Sequence, residues 1–316
     1  MLYLVLATCS SAVMAIVLKI FQEPKGNRYG IILGNYLVCI LIAFFSLTDR
    51  SIVLKGSGTA LVCGLIGGAF YVAGLVTMQT STRLNGATLT AVFSKMGIVI
   101  SLGVSILIFG ERPGILQILG VLLCLIALVL ITGGGESGEK EMDPEQRLAA
   151  DSAKSDGSQN AISRKGDPSP SSESSRTHAG ALLAAMFAGG GSSSMPKVFE
   201  QVGNRAEDEL FFLYLFAAAA VLTVLLVLLE KKKSGRSLRL PELAAGIAVG
   251  VPNYFASYLL LPALVVLPAF LVYPLNSTGA ILLVMAVDAL FFHQKHTRRQ
   301  MVGILLVLAA MVLLNL

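Results

Sequence analysis

Residues 85–131 read as two apolar helices, NGATLTAVFSKMGIVISLGVSILIF and ILQILGVLLCLIALVLI, joined by the charged corner Gly110-Glu111-Arg112-Pro113-Gly114. The arrangement returns 183 residues later in residues 268–316. Without gaps, Tyr71 falls on Tyr254, Ser94 on Ser277, Phe109 on Phe292, Gln117 on Gln300 and Gly120 on Gly303. Apolar composition inflates matches among Leu and Val, so the weight rests on the Gly, Tyr, Ser and Gln pairs. A duplicated block of apolar helices is the strongest constraint on the fold. Each half must pack against a relative of itself.

The duplicated helices belong in a membrane. The chain is 55% hydrophobic and 14% charged, whereas soluble domains carry roughly 25% charged residues. About 20 apolar residues span the ~30 Å hydrocarbon core, and such runs fill the sequence. Span one covers Leu2 to Phe21 and stops at Gln22-Glu23-Pro24-Lys25-Gly26. Spans two to five cover Tyr29–Leu47, Thr59–Thr80, Asn85–Phe109 and Gly114–Ile131. In span three, Gly64, Gly67 and Gly68 would let helix backbones approach closely. Spans six to ten cover Ala179–Phe199, Leu210–Leu229, Leu243–Ala263, Ala269–Phe292 and Gln300–Leu316.

Between the halves, residues 133–178 lack apolar periodicity and are rich in Ser, Gly, Asp, Glu and Lys. Such a segment buries too little apolar surface to offset its ordering entropy, and is expected to be a disordered polar linker. The organisation is therefore a five-helix repeat at 1–132, a linker at 133–178 and a second five-helix repeat at 179–316. Five is odd, so the halves cross in opposite senses. The fold class is all-α integral membrane, ten transmembrane helices in two inverted five-helix repeats, the plan of many secondary transporters.

Met1-Leu2-Tyr3-Leu4 has no basic residue before the apolar run and no A-x-A site follows, so the first run reads as a retained span rather than a signal peptide. Leu6-Ala7-Thr8-Cys9 is near a lipoprotein box, but Thr8 is bulkier than that box requires. Cys9, Cys39, Cys63 and Cys124 lie in apolar runs without CxxC or Cys/His spacing, as free thiols do.

Basic residues set the orientation. Lys19, Lys25, Arg28, Arg83, Lys231, Lys232, Lys233, Arg236, Arg239, Lys295, Arg298 and Arg299 share one face; Arg50, Lys55, Arg112 and Arg205 share the other. Twelve against four places the linker in the cytoplasm and both termini outside. The membrane rule explains these basic loops, so no nucleic-acid partner is expected.

Lys95 sits mid-span in Phe93-Ser94-Lys95-Met96-Gly97. A charge at that depth costs about 2.5–3.5 kcal/mol on insertion scales and faces a cavity or a partner; the alternative is snorkelling or pairing with a backbone carbonyl. A cavity lysine implies carboxylate or phosphate cargo, or titration of the lysine itself. Its repeat counterpart, Thr278, lies in Tyr273-Pro274-Leu275-Asn276-Ser277-Thr278-Gly279, too polar for lipid. Pro274 suggests an interrupted helix, a pointer to a transport site; the competing reading is a kink with Ser and Thr packing.

Further polar groups at depth are Ser10, Ser11, Asn35, Tyr36, Tyr71, Ser193, Ser194, Asn253, Tyr254, Ser257 and Tyr258. Most Ser contacts of this kind are packing, but Tyr71 and Tyr254 are repeat equivalents, and Tyr254 and Tyr258 share a helix face. The candidate substrate-binding set is Lys95, Ser94, Tyr71, Asn253, Tyr254, Tyr258, Asn276, Ser277 and Thr278. Lys197 and Asp288 lie nearer helix ends, where snorkelling or loop pairing is expected. Gly189-Gly190-Gly191-Ser192 has no following GK[ST] and is no phosphate loop. His293 and His296 lack partners for a metal. No cofactor, metal or nucleophile–base pair is expected.

Phe109-Gly110-Glu111-Arg112 followed by Gln117-xx-Gly120-Val121-Leu122-Leu123 resembles the EamA-type members of the drug/metabolite transporter superfamily. The second repeat keeps Gln300-xx-Gly303-Ile304-Leu305-Leu306 but has Gln294 for Glu111 and His293 for Gly110. The resemblance covers the helical sequence and implies a central cavity lined by spans one, three, four, six, eight and nine. It also implies cytoplasmic termini, against the charge count, and the long linker departs from the family pattern. The expected function is secondary transport of a small polar or anionic metabolite by alternating access, as an exporter in the plasma membrane. Proton or ion coupling and a monomer or homodimer fit that expectation. A multidrug or cationic-amphiphile exporter would prefer a deep carboxylate, and only Asp288 approaches one. A membrane enzyme or scaffold would need neither the repeats nor Lys95.

Overall fold

The computed structural model describes residues 1–20, 29–47, 56–85, 87–133, 173–235, 237–291 and 297–315. Most of the expected linker lies outside them, as do His293, Gln294, His296 and the side chain of Asp288.

Repeat one forms α1 (Leu2–Ile20), α2 (Gly30–Ser46), α3 (Gly58–Asn85), α4 (Ala87–Met96), α5 (Ile98–Leu107) and α6 (Ile115–Gly133). Repeat two forms α7 (Glu173–Val202), α8 (Asp208–Ser234), α9 (Leu240–Tyr258), α10 (Leu260–Val266), α11 (Ala269–Phe291) and α12 (Arg298–Asn315). Two spans are thus split, four into α4 and α5, eight into α9 and α10. Helix α7 starts at Glu173, inside the segment expected to be linker. Among the described residues, four helices are long and apolar enough by themselves to cross a membrane, and several shorter apolar helices accompany them.

The main packing pairs join one repeat to the other. Helix α3 packs on α7 and its counterpart α9 packs on α1; α2 packs on α9 and its counterpart α8 packs on α3. Helices α6 and α12 pack on each other. Contacts that occur in equivalent pairs are the three-dimensional form of the inverted repeat.

Two local departures matter for function. Expectation put the interruption at Pro274, but α11 runs unbroken through it, and the Thr278 hydroxyl donates to the Pro274 carbonyl at 2.6 Å. The break falls at Gly97 instead. There the Gly97 N–H bonds to the Ser94 carbonyl at 3.2 Å and the Ile100 N–H to the Gly97 carbonyl at 2.9 Å, a tighter winding than the i→i−4 pattern. Gly97 keeps right-handed dihedrals, so its lack of a side chain serves proximity. A Cβ there would lie 2.8 Å from the Gly190 nitrogen. The glycine run of span six, no phosphate loop, is the surface on which this break rests.

Candidate functional site

Two adjoining cavities lie among α1, α2, α3, α4, α7, α9 and α11. One, of about 310 Å³, is lined by Ser11, Met14, Lys95, Asn276 and Ser277 with apolar side chains of α11. The other, of about 260 Å³, is lined by Asn35, Tyr36, Tyr71, Ser94, Ser192 and Asn253, with Ile32, Leu75, Met78 and Val249 among its apolar walls. Met14 borders both. Consecutive residues Ser94 and Lys95 each enter a different lobe.

Helix direction locates the cavities. Ile31 is in the first turn of α2, Met78 is in the latter part of α3, and Met285 is in the second half of α11. These parts of the helices lie nearest the basic loops one, three and nine. The space therefore occupies the half in which the described basic residues Lys231, Lys232, Lys233, Arg239, Arg298 and Arg299 lie.

Six of the nine sequence-predicted residues line this space: Lys95, Asn276 and Ser277 in one lobe, Ser94, Tyr71 and Asn253 in the other. Lys95 is accessible within it and has no ion-pair or hydrogen-bond partner among the described residues. The Ser94 hydroxyl is buried and likewise unpartnered. Tyr71 shares a 3.1 Å hydrogen bond with Ser257, and Asn253 donates to Asn35 at 3.1 Å.

The structure places the other three elsewhere. Tyr254 is 1% exposed and packs with Phe212, Phe216 and Tyr258. Tyr258 donates to Glu209 at 3.2 Å. Thr278 is fully buried and spends its hydroxyl on Pro274. Sequence reasoning had noted Ser11, Asn35 and Tyr36 without placing them in the candidate set, and had passed over Met14 and Ser192. Among residues buried in an apolar chain, polarity at depth is the only usable signal, and Met14 carries none.

The opposite half holds packed rings and buried ion pairs among the described residues. The Phe199 and Phe211 rings stack at 4.3 Å, and Phe212, Phe216, Tyr254 and Tyr258 continue the layer. Beside it, Lys197, only 4% exposed, bridges Glu111 at 3.1 Å and Glu200 at 3.0 Å. Glu111 also accepts the Ala269 N–H on both carboxylate oxygens, at 3.1 and 3.0 Å. Gly110 makes this reach possible: its left-handed φ of 69° turns the chain so that the Glu111 N–H bonds back to the Ser105 carbonyl at 3.2 Å. Burial alone would raise the Glu111 carboxyl, but the Ala269 amide and the Lys197 ammonium outweigh it and hold the group below its ordinary 4.5. Lys197 thus pairs with a loop, as its position near a helix end suggested. Farther along this face the hydroxyl and backbone N–H of Ser57 bond to Glu207.

An α-helical inverted repeat around a central cavity, with packed rings and ion pairs at one side and hollow at the other, defines the class of membrane transporters. The EamA-like transporter family matches residues 1–133 and 176–316, and the chain belongs to that family. It is therefore a membrane transporter of the drug/metabolite type, with a small-molecule substrate and a lipid environment. A solved structure titled only "Crystal structure of protein" is similar to 99% of this chain over 94% of its own, at 14% identity and a TM-score of 0.68; that likeness shows the fold alone. No curated protein matches.

Proposed function

We propose that the chain is a secondary carrier that moves a small polar or anionic metabolite by alternating access, exporting it across the plasma membrane. The observation that carries this reading is Lys95, an unpaired cation opening into a central cavity between inverted repeats. An unneutralised charge at that depth is costly, and an anionic cargo would neutralise it. Asn276 and Ser277 supply hydrogen-bonding atoms in the same lobe. Alternating access would proceed by rocking one repeat against the other about this site, with the Glu111–Lys197 contact and the aromatic layer forming the closed side. No carboxylate lines either lobe among the described residues, which argues against a cationic-drug exporter. Export follows if the hollow side faces the cytoplasm, as the basic loops require. Coupling to a proton or ion and a homodimeric state are compatible with the site and are not needed by it.

Membrane vesicles carrying the native chain or Lys95→Met, tested for uptake and efflux of labelled anionic metabolites, decide the matter. Movement with the native chain and its loss in the variant is expected. Equal movement by both sinks the Lys95 site, and no movement by either sinks the carrier reading.

A further inference from the structure

Both lobes are walled mainly by apolar carbon and differ in charge, and together they describe a cargo more closely than either does. The Lys95 lobe offers an ammonium, two hydroxyls and an amide from Lys95, Ser11, Ser277 and Asn276. The other lobe is walled mainly by apolar and ring carbons, and its two amides are already joined to each other, Asn253 to Asn35. Met14 borders both lobes, and the buried, unpartnered Ser94 hydroxyl belongs to the second. Among the described lining residues there is one cation and no anion.

We infer that the cargo is an amphipathic monocarboxylate, with its carboxylate at Lys95 and an aromatic or branched apolar group beside Leu75, Met78 and Tyr36. An ammonium on the same molecule is disfavoured. It would lose its hydration in a lobe that holds no carboxylate, and an unpaired charge in such a place is strongly disfavoured. This inference rests on the carrier reading above and goes further, from "anionic" to a defined shape and charge. Three matched probes separate its parts: 3-phenylpropanoate, propanoate (the ring removed) and phenylalanine (an ammonium added). Purified full-length chain in proteoliposomes, with protein-free liposomes subtracted, should move 3-phenylpropanoate at least tenfold faster than either of the others. Lys95→Met should abolish that movement, and Leu75→Asn should narrow the gap to propanoate. Propanoate moving as fast overturns the apolar lobe, and phenylalanine moving as fast overturns the exclusion of ammonium; both leave an anion carrier standing. If no labelled anion moves by a folded chain, the carrier reading falls and this inference with it.

A separate observation concerns which side is closed. The Glu111–Lys197 pair joins the corner of repeat one to α7 of repeat two. The 183-residue offset that places Ser10 and Ser11 on Ser193 and Ser194 also places Met14 on Lys197 and Gln294 on Glu111. By sequence, the positions equivalent to this pair, Met14 and Gln294, hold no charge. The geometry points to a one-sided latch: the carrier rests closed on the corner's face and open on the basic-loop face.

The test is a single cysteine at Ala280, in the Lys95 lobe, in a cysteine-free background. Impermeant thiol reagent is applied from each side of oriented vesicles. Labelling from the basic-loop side alone is expected. Glu111→Gln and Lys197→Met should each add labelling from the corner side, and Met14→Lys with Gln294→Glu should shift it toward that side. Unchanged labelling in both single variants, with thermal unfolding verifying that they are folded, overturns the latch. So does corner-side labelling of the parent.

Discussion

At the residue scale, Lys95 and Lys197 show how two lysines within the helical spans divide labour. Lys197 is held by two carboxylates, so removing it strands Glu111 and Glu200; Lys95 has no such partners, so its removal strands nothing. Lys95→Met should therefore leave thermal stability in detergent unchanged or slightly higher, while transport falls by more than tenfold, and Lys95→Arg should keep part of the activity. A large loss of stability in Lys95→Met would show a structural lysine instead. Glu111 gives a pH prediction. Its carboxyl is depressed in the closed form, so the closed form binds fewer protons than one in which Glu111 is free. Closure is then favoured above the ordinary value of 4.5 and weakens only as pH falls through the depressed one. Cavity access in the native chain should stay constant between about pH 8 and pH 5 and rise from the corner side only below that range. Charge at depth made Lys95 legible in the sequence. The partner of Lys197 was not, because Glu111 lies in a loop 86 positions earlier and nothing local connects them.

At the scale of elements, the ten spans were legible because apolar runs and Gly/Pro stops fix their existence, but the faces of those spans were not. In lipid both faces of a helix are apolar, so the i,i+4 pairing of Tyr254 and Tyr258 identified a shared face without saying that it packs on Phe212. The break in span four escaped the sequence reading for a related reason. Proline is the obvious breaker, yet Pro274 is accommodated within α11 while Gly97 marks the interruption between α4 and α5. Backbone proximity explains it. A Cβ on Gly190 would stand 2.6 Å from the Gly97 carbonyl oxygen and 2.7 Å from the Ile100 Cβ, and Ser101 donates to the Gly190 carbonyl at 3.2 Å. Gly190→Val forces backbone apart where no flexible side chain is available to yield. It should destabilise by about 2 kcal/mol or more, in the range of overpacked core substitutions. Gly103→Ala is the control, since a Cβ there meets open space. Thermal unfolding of the purified variants tests both; equal midpoints would show that this crossing does not hold span four in place.

At the scale of the whole molecule, orientation decides direction. The cavities lie in the half bounded by the basic loops, and the ion pair and aromatic layer lie in the half that carries both termini. If Lys and Arg loops stay in the cytoplasm, the form seen here presents Lys95 to cytoplasmic cargo, and the termini lie outside. The family's usual arrangement, termini inside, would turn the same cavity outward and make the same resting form load from the exterior. One experiment fixes both properties. Single cysteines placed beside Lys232 and after Leu316 in a cysteine-free chain should differ in intact cells, where impermeant reagent labels the C-terminal site and spares the Lys232 site. In the same cells, the cysteine at Ala280 should be spared and become labelled only in inverted vesicles, because the cavity opens where Lys232 lies. Labelling beside Lys232 alone would reverse the orientation and turn the proposed exporter into an importer. The site chemistry at Lys95 would remain as it is.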